Sequence, residues 1–400
     1  MTVQVIDTNR EVSTAGASRP GFRARRVQAR RDMERARLLA SRWSEVTLGL
    51  GLGVNPGAAS TTQTPQVVAV HLDPPRLMVR LRPWQSISHL AEHSAAIARA
   101  LGVHSVRLVD RHGRYVRVEL LSVDPLAMPV SVPAGLVDDS VVLMLGMTED
   151  GRHLWTTLRE QAHLIVQGQT RSGKSRWSYS ILAQVAAAPG LVIAGTDITS
   201  LLLRPFVGTR HAQWQATGSD VHGHLLLLGR LVAEMERRLR LMPADQDVLP
   251  TSQDVPLMLV VIEEYPGLLE AAAALDAISG SKSKIVAQIR SAVGRLLAES
   301  AKVGMRVMLI TQRAEASIIG GFHRGQAPLR VSFRVEDVES VRMLHPTCTD
   351  EDAATHTRTV PGRALVTGVG LPLSRLRAPE MPSYAHYADQ VATACRTASA

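Results

Sequence analysis

The stretch "GQTRSGKS", from Gly168 to Ser175, decides how this chain of 400 residues folds. It fits the pattern G-x-x-x-x-G-K-S, in which glycines let backbone N–H groups turn inward around phosphate oxygens where a helix starts. The preceding "AHLIVQG" predicts a buried strand, and the following "SRWSYSILAQVAAA" predicts a helix. The motif requires this strand–loop–helix context, so the sequence predicts a nucleotide site.

Every position of this phosphate-binding loop is a candidate nucleotide ligand. The candidates are Gly168, Gln169, Thr170, Arg171, Ser172, Gly173, Lys174 and Ser175. In this motif the lysine reaches the β- and γ-phosphates and the last hydroxyl ligates Mg²⁺, so ATP and Mg²⁺ are the expected cofactors. The chain otherwise uses arginine almost everywhere, which marks Lys174 as a position that requires lysine.

Two later strands are predicted to complete the site. "LMLVVIEE" ends in two carboxylates, and we expect Glu263 to hold the Mg²⁺ shell through water and Glu264 to activate the attacking water. "MLITQR" places Thr311 and Gln312 at a strand tip, where a polar side chain can sense the γ-phosphate. The order of loop, acidic strand and polar strand tip is that of a RecA-like ATPase core and favours a hydrolytic motor over a kinase.

The surrounding pattern predicts an α/β protein with a smaller domain in front of the core. Short apolar strands separated by helices indicate a parallel sheet covered on both faces. Before them, "QVVAVHL", "RLMVRLR", a helical segment, "SVRLVD" and "YVRVELL" predict a β-β-α-β-β domain. The expected organisation is a disordered and basic helical leader with a linker over 1–61, a small α/β domain over 62–125, the core over 126–383 and a tail over 384–400.

Composition bears on partners and location. The net charge of +9 and the pI near 10.2 favour an anionic partner, either nucleic acid or a membrane surface. Two cysteines without ligand spacing indicate neither a disulfide framework nor a zinc site. With no apolar run long enough for a membrane span and no signal peptide, we expect a cytoplasmic protein, with peripheral membrane association left open.

One segment keeps two interpretations. Nine arginines lie between Arg19 and Arg42, in a stretch of good helix formers with few apolar positions, which predicts a solvated helix. It can contact DNA phosphates or anionic lipid, or it can be a charged linker helix.

Four stretches carry a family resemblance. They are "HLIVQGQTRSGKS", "AEMERRLRLM" (Ala233 to Met242), the Thr-Gln-Arg block with its following strand (Gly304 to Val335) and "PGRALV" (Pro361 to Val366). The core resembles the FtsK/SpoIIIE family of double-stranded DNA translocases, including the transfer proteins of actinomycete conjugative plasmids. The chain departs from the family pattern after Asp197, where Thr199 stands in place of a lysine.

The resemblance implies a ring, expected to be a homo-hexamer, that threads double-stranded DNA and hydrolyses ATP between subunits. By position it assigns Arg330 as the arginine finger that reaches a neighbour's phosphates, and it leaves Arg313 as a site or structural residue. Basic loops such as "SGSKSK" (Ser279 to Lys284) would contact DNA phosphates. Conjugative transfer of plasmid or integrative-element DNA is the expected setting, with membrane partner proteins supplying an anchor.

Three other functions remain open from the sequence. One is a nucleotide-gated DNA-binding scaffold that moves nothing, which the glutamate at position 263 instead of aspartate keeps open. The second is a HerA-like single-strand coupling ATPase. The third is a chromosome segregation motor.

Overall fold

The computed structural model describes residues 4–5, 22–53, 62–83, 85–111, 113–133, 141–279, 284–314 and 320–397. These residues form two compact units, Met1–Ala127 and Met128–Ala400. Most of the predicted disordered leader, the middle of the predicted linker and positions 280–283 of the predicted DNA loop lie outside the described residues. In the described part of the chain, no helix is long and apolar enough to cross a bilayer.

The first unit is a sheet with helices on one face. Its elements are β1 (Gln4–Val5), α1 (Phe22–Gly49), β2 (Gln66–Leu72), β3 (Pro75–Arg80), α2 (Ile87–Glu92), α3 (Ser94–Leu101), β4 (Ser105–Arg111) and β5 (Tyr115–Leu121). The strand order is β1-β2-β3-β5-β4, with β1 parallel to β2 and the other neighbours antiparallel. The predicted β-β-α-β-β pattern is confirmed, with its helix divided in two at His93, which caps both pieces.

The predicted arginine-rich helix is present as α1, but it is not solvated on all sides. Ala36, Trp43 and Thr47 are fully buried, and Trp43 donates a hydrogen bond from its indole Nε1 to the carbonyl of Pro65 at 2.9 Å. These side chains lie along one side of the helix and pack on the core of the first unit. The arginines of α1 whose side chains the structure describes are exposed. A few apolar residues suffice because the correct helical spacing gathers them on one face. The predicted disordered leader also contributes β1.

The second unit is built on a ten-stranded sheet. Its strands are β6 (Val142–Thr148), β7 (His153–Thr157), β8 (Leu164–Gln167), β9 (Leu191–Asp197), β10 (Gln215–Thr217), β11 (Leu257–Glu263), β12 (Met305–Thr311), β13 (Leu329–Phe333), β14 (Arg363–Gly368) and β15 (Leu371–Arg377). Its helices are α4 (Lys174–Val185), α5 (Val221–Arg240), α6 (Tyr265–Ser279), α7 (Ile285–Glu299), α8 (Gly321–Gly325), α9 (Val338–Leu344), α10 (Asp350–Thr357) and α11 (Tyr384–Thr397).

The sheet is parallel in one half and antiparallel in the other. The order is β10-β9-β11-β12-β8-β13-β14-β15-β6-β7, and the neighbours from β10 to β13 are parallel. From β13 to β7 each neighbour is antiparallel. The predicted parallel RecA-like core is therefore confirmed, and four further strands extend it on one side. We call the end where the parallel strands finish the carboxyl edge and the opposite end the amino edge.

Strand β11 shows how helices cover both faces of the sheet. Leu257, Leu259 and Val261 belong to the core that contains α4 and α11, while Met258 and Val260, like Ile262, belong to the core formed with α5, α6 and α7. Because side chains alternate along a strand, an unbroken apolar run is the signature of a strand buried on both faces.

The predicted tail over 384–400 is instead a docked helix for as far as the structure describes it. In α11 Tyr387 is fully buried and stacks on Tyr179 of α4, with ring centroids 4.5 Å apart. Its hydroxyl donates to the carbonyl of Leu202 at 2.6 Å. Tyr387, Val391 and Cys395 recur every four residues and are all buried, so a short apolar stripe anchors this helix.

Candidate functional site

The phosphate-binding loop joins β8 to α4 at the carboxyl edge. Arg171 and Gly173 have φ angles of 62° and 109°, and Lys174 is the first residue of the helix. The first N–H groups of a helix have no intrahelical acceptor, so the amides that begin α4 are available to an anion and carry the positive end of its dipole. Thr170, Arg171 and Ser175 are exposed, as a ligand-facing loop requires.

The glycines of the loop are needed for close backbone contacts. A Cβ atom at Gly173 would lie 2.7 Å from the amide nitrogen of Gly362, and one at Gly168 would lie 2.7 Å from Cβ of Phe333. Gly362 also donates its N–H to the carbonyl of Ser172 at 2.8 Å. The "PGRALV" segment that carries part of the resemblance is thus the turn that packs against the outside of the loop.

The remaining loop residues are held by the neighbouring strands. Gly168 donates its N–H to the carbonyl of Gln312 at 3.2 Å, and Gln169 donates to the carbonyl of Arg334 at 2.9 Å. Ser172 is buried, and its hydroxyl has no hydrogen-bond partner among the described residues. The loop is therefore anchored on two sides before any ligand binds.

Three of the predicted site residues meet in one cluster. Glu264 follows β11 immediately, and its carboxylate lies between the ammonium of Lys174, at 3.4 Å, and the amide of Gln312, which donates to it at 3.2 Å. Glu264 has a φ of 47°, a left-handed conformation that is costly for a residue with a side chain and that is found preferentially at functional sites. Parallel strands ending at one edge bring these residues together from positions 90 and 48 residues apart.

Glu263 lies one residue earlier and is largely buried at the end of β11. Burial first, and then the carboxylates of Asp197 and Glu264, raise the pKa of Glu263 to about 8, while Lys174 acts in the opposite direction. Asp197 is its direct partner across the β9–β11 pair. Three carboxyl groups with one cation nearby form a site in which Glu263 holds its proton more tightly than usual and in which a further cation would be stabilised.

Asp197 has a structural task that its sequence position did not reveal. Its carboxylate accepts hydrogen bonds from the amides of Leu202 and Leu203 at 2.8 and 2.9 Å, and from the hydroxyl of Thr199 at 2.8 Å. Thr199, which stands where the family has a lysine, therefore caps the turn after β9 instead of extending a charge into the site.

The donor set suits Mg²⁺. Oε2 of Glu263 is buried and has no hydrogen-bond partner among the described residues, and Asp197 adds oxygen at the same edge. Hard cations prefer oxygen ligands, and Mg²⁺ in nucleotide sites takes one or two protein oxygens together with phosphates and water. Ser175 and Glu263 would be its ligands, as the sequence predicts, with Oε2 as the oxygen of Glu263 that is not hydrogen-bonded.

The two strand-tip positions differ in role. The hydroxyl of Thr311 is buried and donates to the carbonyl of Arg313 at 2.7 Å, so it shapes the turn that follows β12. Arg313 forms ion pairs with Glu336 and, at 3.6 Å, with Asp337. Gln312 is the exposed side chain of this group and the one that reaches Glu264.

The geometry argues against the predicted finger role of Arg330. This residue lies near the amino edge, where its guanidinium donates to the carbonyls of Ala327, Leu344 and Arg324 at 3.0 to 3.1 Å. Burial and the nearby charge of Arg324 lower its pKa. A finger must have its donors free for a neighbour's phosphate, whereas Arg330 ties three segments of its own chain together.

Sequence reasoning missed the contacts that support the loop from the side of α11. Arg176, two residues after Lys174, donates to the carbonyls of Met381 and Pro382 just before that helix. Together with the Tyr179–Tyr387 stack, this fixes the first turns of α4. The spacing of the apolar residues in α11 was the available signal.

Comparison with known proteins places this site in context. No family model matches the chain. DNA translocase FtsK of Pseudomonas aeruginosa is 25% identical over 314 residues, and that of Mycobacterium leprae is 25% identical over 289 residues. Each alignment covers 67% of this chain but only 37% and 34% of the relative, so the chain spans about a third of the length of these proteins.

A solved structure supports the fold. The conjugation coupling protein TcpA of pCW3, in its monomer form with ATPγS, superimposes with a TM-score of 0.53 and 18% identity. The match covers 89% of this chain and 99% of that chain. The predicted resemblance to FtsK/SpoIIIE translocases and to plasmid transfer proteins is confirmed, and so is the P-loop ATPase fold.

Proposed function

We propose that this protein is an ATP-driven translocase of double-stranded DNA. The observation that carries the proposal is the convergence of Lys174, Glu264 and Gln312 at the carboxyl edge, in a chain that resembles FtsK over two-thirds of its length. Nucleotide-site residues at strand ends of an α/β sheet are the arrangement that hydrolytic motors use.

The cluster suggests how the residues act in turn. In the structure, Lys174 is engaged by Glu264. When the β- and γ-phosphates enter the loop, they compete for the ammonium group, which neutralises charge that develops on the transferred phosphoryl group. Glu264 is then released to accept a proton from the attacking water, with Gln312 holding its other oxygen.

The metal adds to this chemistry without replacing it. Mg²⁺ bound by Ser175 and Glu263 would neutralise phosphate charge when nucleotide is present. Glu263 has a raised pKa in the absence of the cation, and a nearby divalent charge favours its ionised form. Asp197 would hold the adjoining turn in place while this happens.

Double-stranded DNA, a homo-hexameric ring and a role in conjugative transfer belong to the same proposal. The net charge of +9 supports a polyanionic partner, and the similarity to proteins named DNA translocase supports duplex DNA. The fold shared with a conjugation coupling protein is the support for transfer between cells. Since Arg330 is engaged within its own subunit, the proposed ring needs another arginine to reach across.

The deciding experiment is the rate of ATP hydrolysis with and without long linear duplex DNA. We expect duplex to increase the rate many-fold and protein with a non-hydrolysable nucleotide to elute as a ring. An unchanged rate together with a monomer in sizing would contradict the proposal and favour a nucleotide-gated scaffold.

A second assay separates duplex from single-strand motors. A translocase on duplex DNA should displace the third strand from a triplex, whereas a single-strand coupling ATPase leaves it in place and responds to single strands alone. Transfer of a marked element from donor cells that carry Glu264→Gln tests the conjugative setting. Normal transfer by such donors would point to another process, such as chromosome segregation.

A further inference from the structure

The first unit presents one sheet face on which arginine predominates. Leu77 of β3 and Val118 of β5 point into the core, as does every second residue along each of these strands. The residues in between therefore lie on the other face of the sheet. This second face carries five arginines from three neighbouring strands. We call these residues the arginine face: Arg76, Arg80, Arg107, Arg111 and Arg117.

The charge of the arginine face is not balanced. Across the face positions of β2 to β5, all of which the structure describes, the one acidic residue is Glu119, which pairs with Arg107 and Arg117. Among the described residues, Arg76, Arg80 and Arg111 take part in no ion pair. Arg80 instead donates to the side-chain oxygen of Gln66 at 2.7 Å.

The positive field acts on a neighbouring histidine. Nη2 of Arg76 lies 3.4 Å from Nδ1 of His71. Burial first, and then the positive charges of Arg76 and Arg117, lower the pKa of His71. Like charges held together on a folded surface raise its free energy, and an anion that binds there relieves the repulsion.

The strand register sets the positions from which the arginine side chains extend. Arg80, Tyr115 and Arg111 are cross-strand partners in one row, and Arg76, Glu119 and Arg107 form a parallel row. With strands about 4.8 Å apart and about 3.4 Å per residue, the Cα atoms of the four outer arginines form a rectangle of about 10 by 13 Å, from which the long side chains extend. Arg117 lies in the row between them.

This rectangle suits the backbone of DNA. A stretch of about 13 Å of duplex carries about four phosphates on each strand, and the two grooves are about 6 and 12 Å wide. Guanidinium groups bind phosphate oxygens through paired donors. The face has a single aromatic residue, Tyr115, so stacking on successive bases, as in single-strand readers, has little to rest on.

We propose that the arginine face binds the phosphate backbone of double-stranded DNA without reading its sequence. Its residues lie in the first unit, outside the nucleotide site, so binding requires neither ATP nor hydrolysis. The contact goes beyond the proposed motor activity, and each can fail without the other.

The test uses two matched pairs of substitutions in the full chain. Arg80→Gln with Arg111→Gln removes two exposed charges from the arginine face, while Arg30→Gln with Arg35→Gln removes two exposed charges from α1 of the same unit. A third protein, with Arg80→Lys and Arg111→Lys, keeps the charge. Thermal unfolding confirms that all three fold.

Affinity for a fluorescent duplex of about 30 base pairs is measured without nucleotide, between about 50 and about 200 mM salt. We expect the face variant to bind about tenfold more weakly and its logarithmic salt slope to fall by about 2, since each phosphate contact contributes about 0.9. The α1 variant and the lysine variant should remain near wild type.

Three outcomes would overturn the proposal. The first is a face variant with unchanged affinity and slope. The second is an equal loss in the α1 variant, which would mean that the arginine face has no special role compared with net charge or with the arginines of α1. In the third, the face variant no longer binds vesicles that contain phosphatidylserine but still binds DNA, which would identify a membrane surface as the partner. Basal ATP hydrolysis by the face variant, measured in parallel, tells this failure apart from failure of the motor.

Discussion

The two edges of the large sheet use charged residues in opposite ways. At the carboxyl edge, Lys174, Glu263 and Glu264 lie close together, one carboxylate oxygen has no recorded partner, and Glu264 adopts a left-handed backbone conformation. At the amino edge, three buried or partly buried arginines donate to backbone carbonyls of the same chain. The charged groups of the carboxyl edge are available to a ligand, whereas those of the amino edge stabilise the fold.

Three arginines show how the amino edge is built. Arg238 donates to the carbonyls of Pro256 and Val303, which precede β11 and β12. Arg306 donates to the carbonyls of Leu158 and Ala301, and Arg330 has the three acceptors described above. Each guanidinium ties together backbone segments that lead into neighbouring strands, where otherwise buried carbonyls would lack donors.

The difference teaches that residue type and strand position do not define a role. An arginine near a strand end can reach a phosphate or bind its own chain, and the acceptors within reach decide between them. Polar atoms without hydrogen-bond partners, closely spaced charges and unusual backbone angles occur at the ligand-binding edge. Such features are retained where a bound ligand supplies the missing contacts.

The largest effect is expected from Lys174→Ala. Removing the cation that neutralises the transferred phosphoryl group should lower the rate of ATP hydrolysis by at least about 10³-fold. Lys302→Ala is the matched control, because Lys302 is an exposed lysine close to the amino edge. Equal losses in a steady-state assay of the two variants would erase the distinction between the edges.

Glu264→Gln should have the next largest effect. The amide keeps the size of the side chain but cannot accept a proton, so we expect turnover to fall about 10²-fold while ATP still binds. Single-turnover kinetics and binding of a fluorescent nucleotide measure the two quantities separately. Glu270→Gln, on the exposed side of α6, serves as the control. Turnover at the wild-type rate in Glu264→Gln would assign the base elsewhere.

Arg330→Ala probes the amino edge itself. Three backbone carbonyls lose their donor, so the free energy of unfolding in urea should fall by about 2 kcal/mol. Turnover per folded molecule should stay near wild type at a temperature where the variant is folded. A variant of unchanged stability that no longer hydrolyses ATP, and that recovers activity when mixed with Lys174→Ala subunits, would restore the finger role.

The smallest effect concerns pH. His163 lies at the amino edge, where its Nδ1 accepts the N–H of Val307 at 2.9 Å, and burial followed by the charge of Arg306 lowers its pKa to about 4. The unfolded chain, with a histidine pKa of about 6.5, therefore binds more protons between these values, and stability falls as pH drops from about 6.5 towards 4.

We expect His163 to cost about 1 to 2 kcal/mol between pH 7 and pH 5. His163→Asn keeps an acceptor for Val307 but does not titrate, so the difference in unfolding free energy between the proteins should shift by that amount over this interval. Urea denaturation at each pH measures it. Parallel pH dependences in the two proteins would mean that this histidine is not held neutral.

Much of the fold and the central cluster followed from the sequence. Glu264 and Gln312 directly follow buried strands whose apolar runs are clear in the sequence, Lys174 ends the loop that follows another such strand, and parallel strands must end at a common edge. The motif also fixes where the helix begins. The apolar runs identify the strands, and the common edge of parallel strands brings these residues near one another. The distances between their side chains do not follow from the sequence.

The parts that could not be predicted depend on distant partners. Trp43 packs the arginine-rich helix α1 on the core of the first unit, and Tyr387 anchors α11, a segment whose composition had indicated a tail. The family resemblance predicts a role across subunits for Arg330 by position. Its engagement within its own chain could not be predicted, because its three carbonyl acceptors come from a helix, a loop and a second helix end that no local pattern connects.

The contact between Gly362 and Gly173 has a mechanical consequence. The turn that touches the phosphate-binding loop leads directly into β14, whose hydrogen-bonded ladder continues through β15 and β6 to β7. Because the two backbones leave no space for even a methyl group, a small displacement of the loop must push this turn. The four antiparallel strands would carry such a displacement from the loop towards the far rim of the sheet.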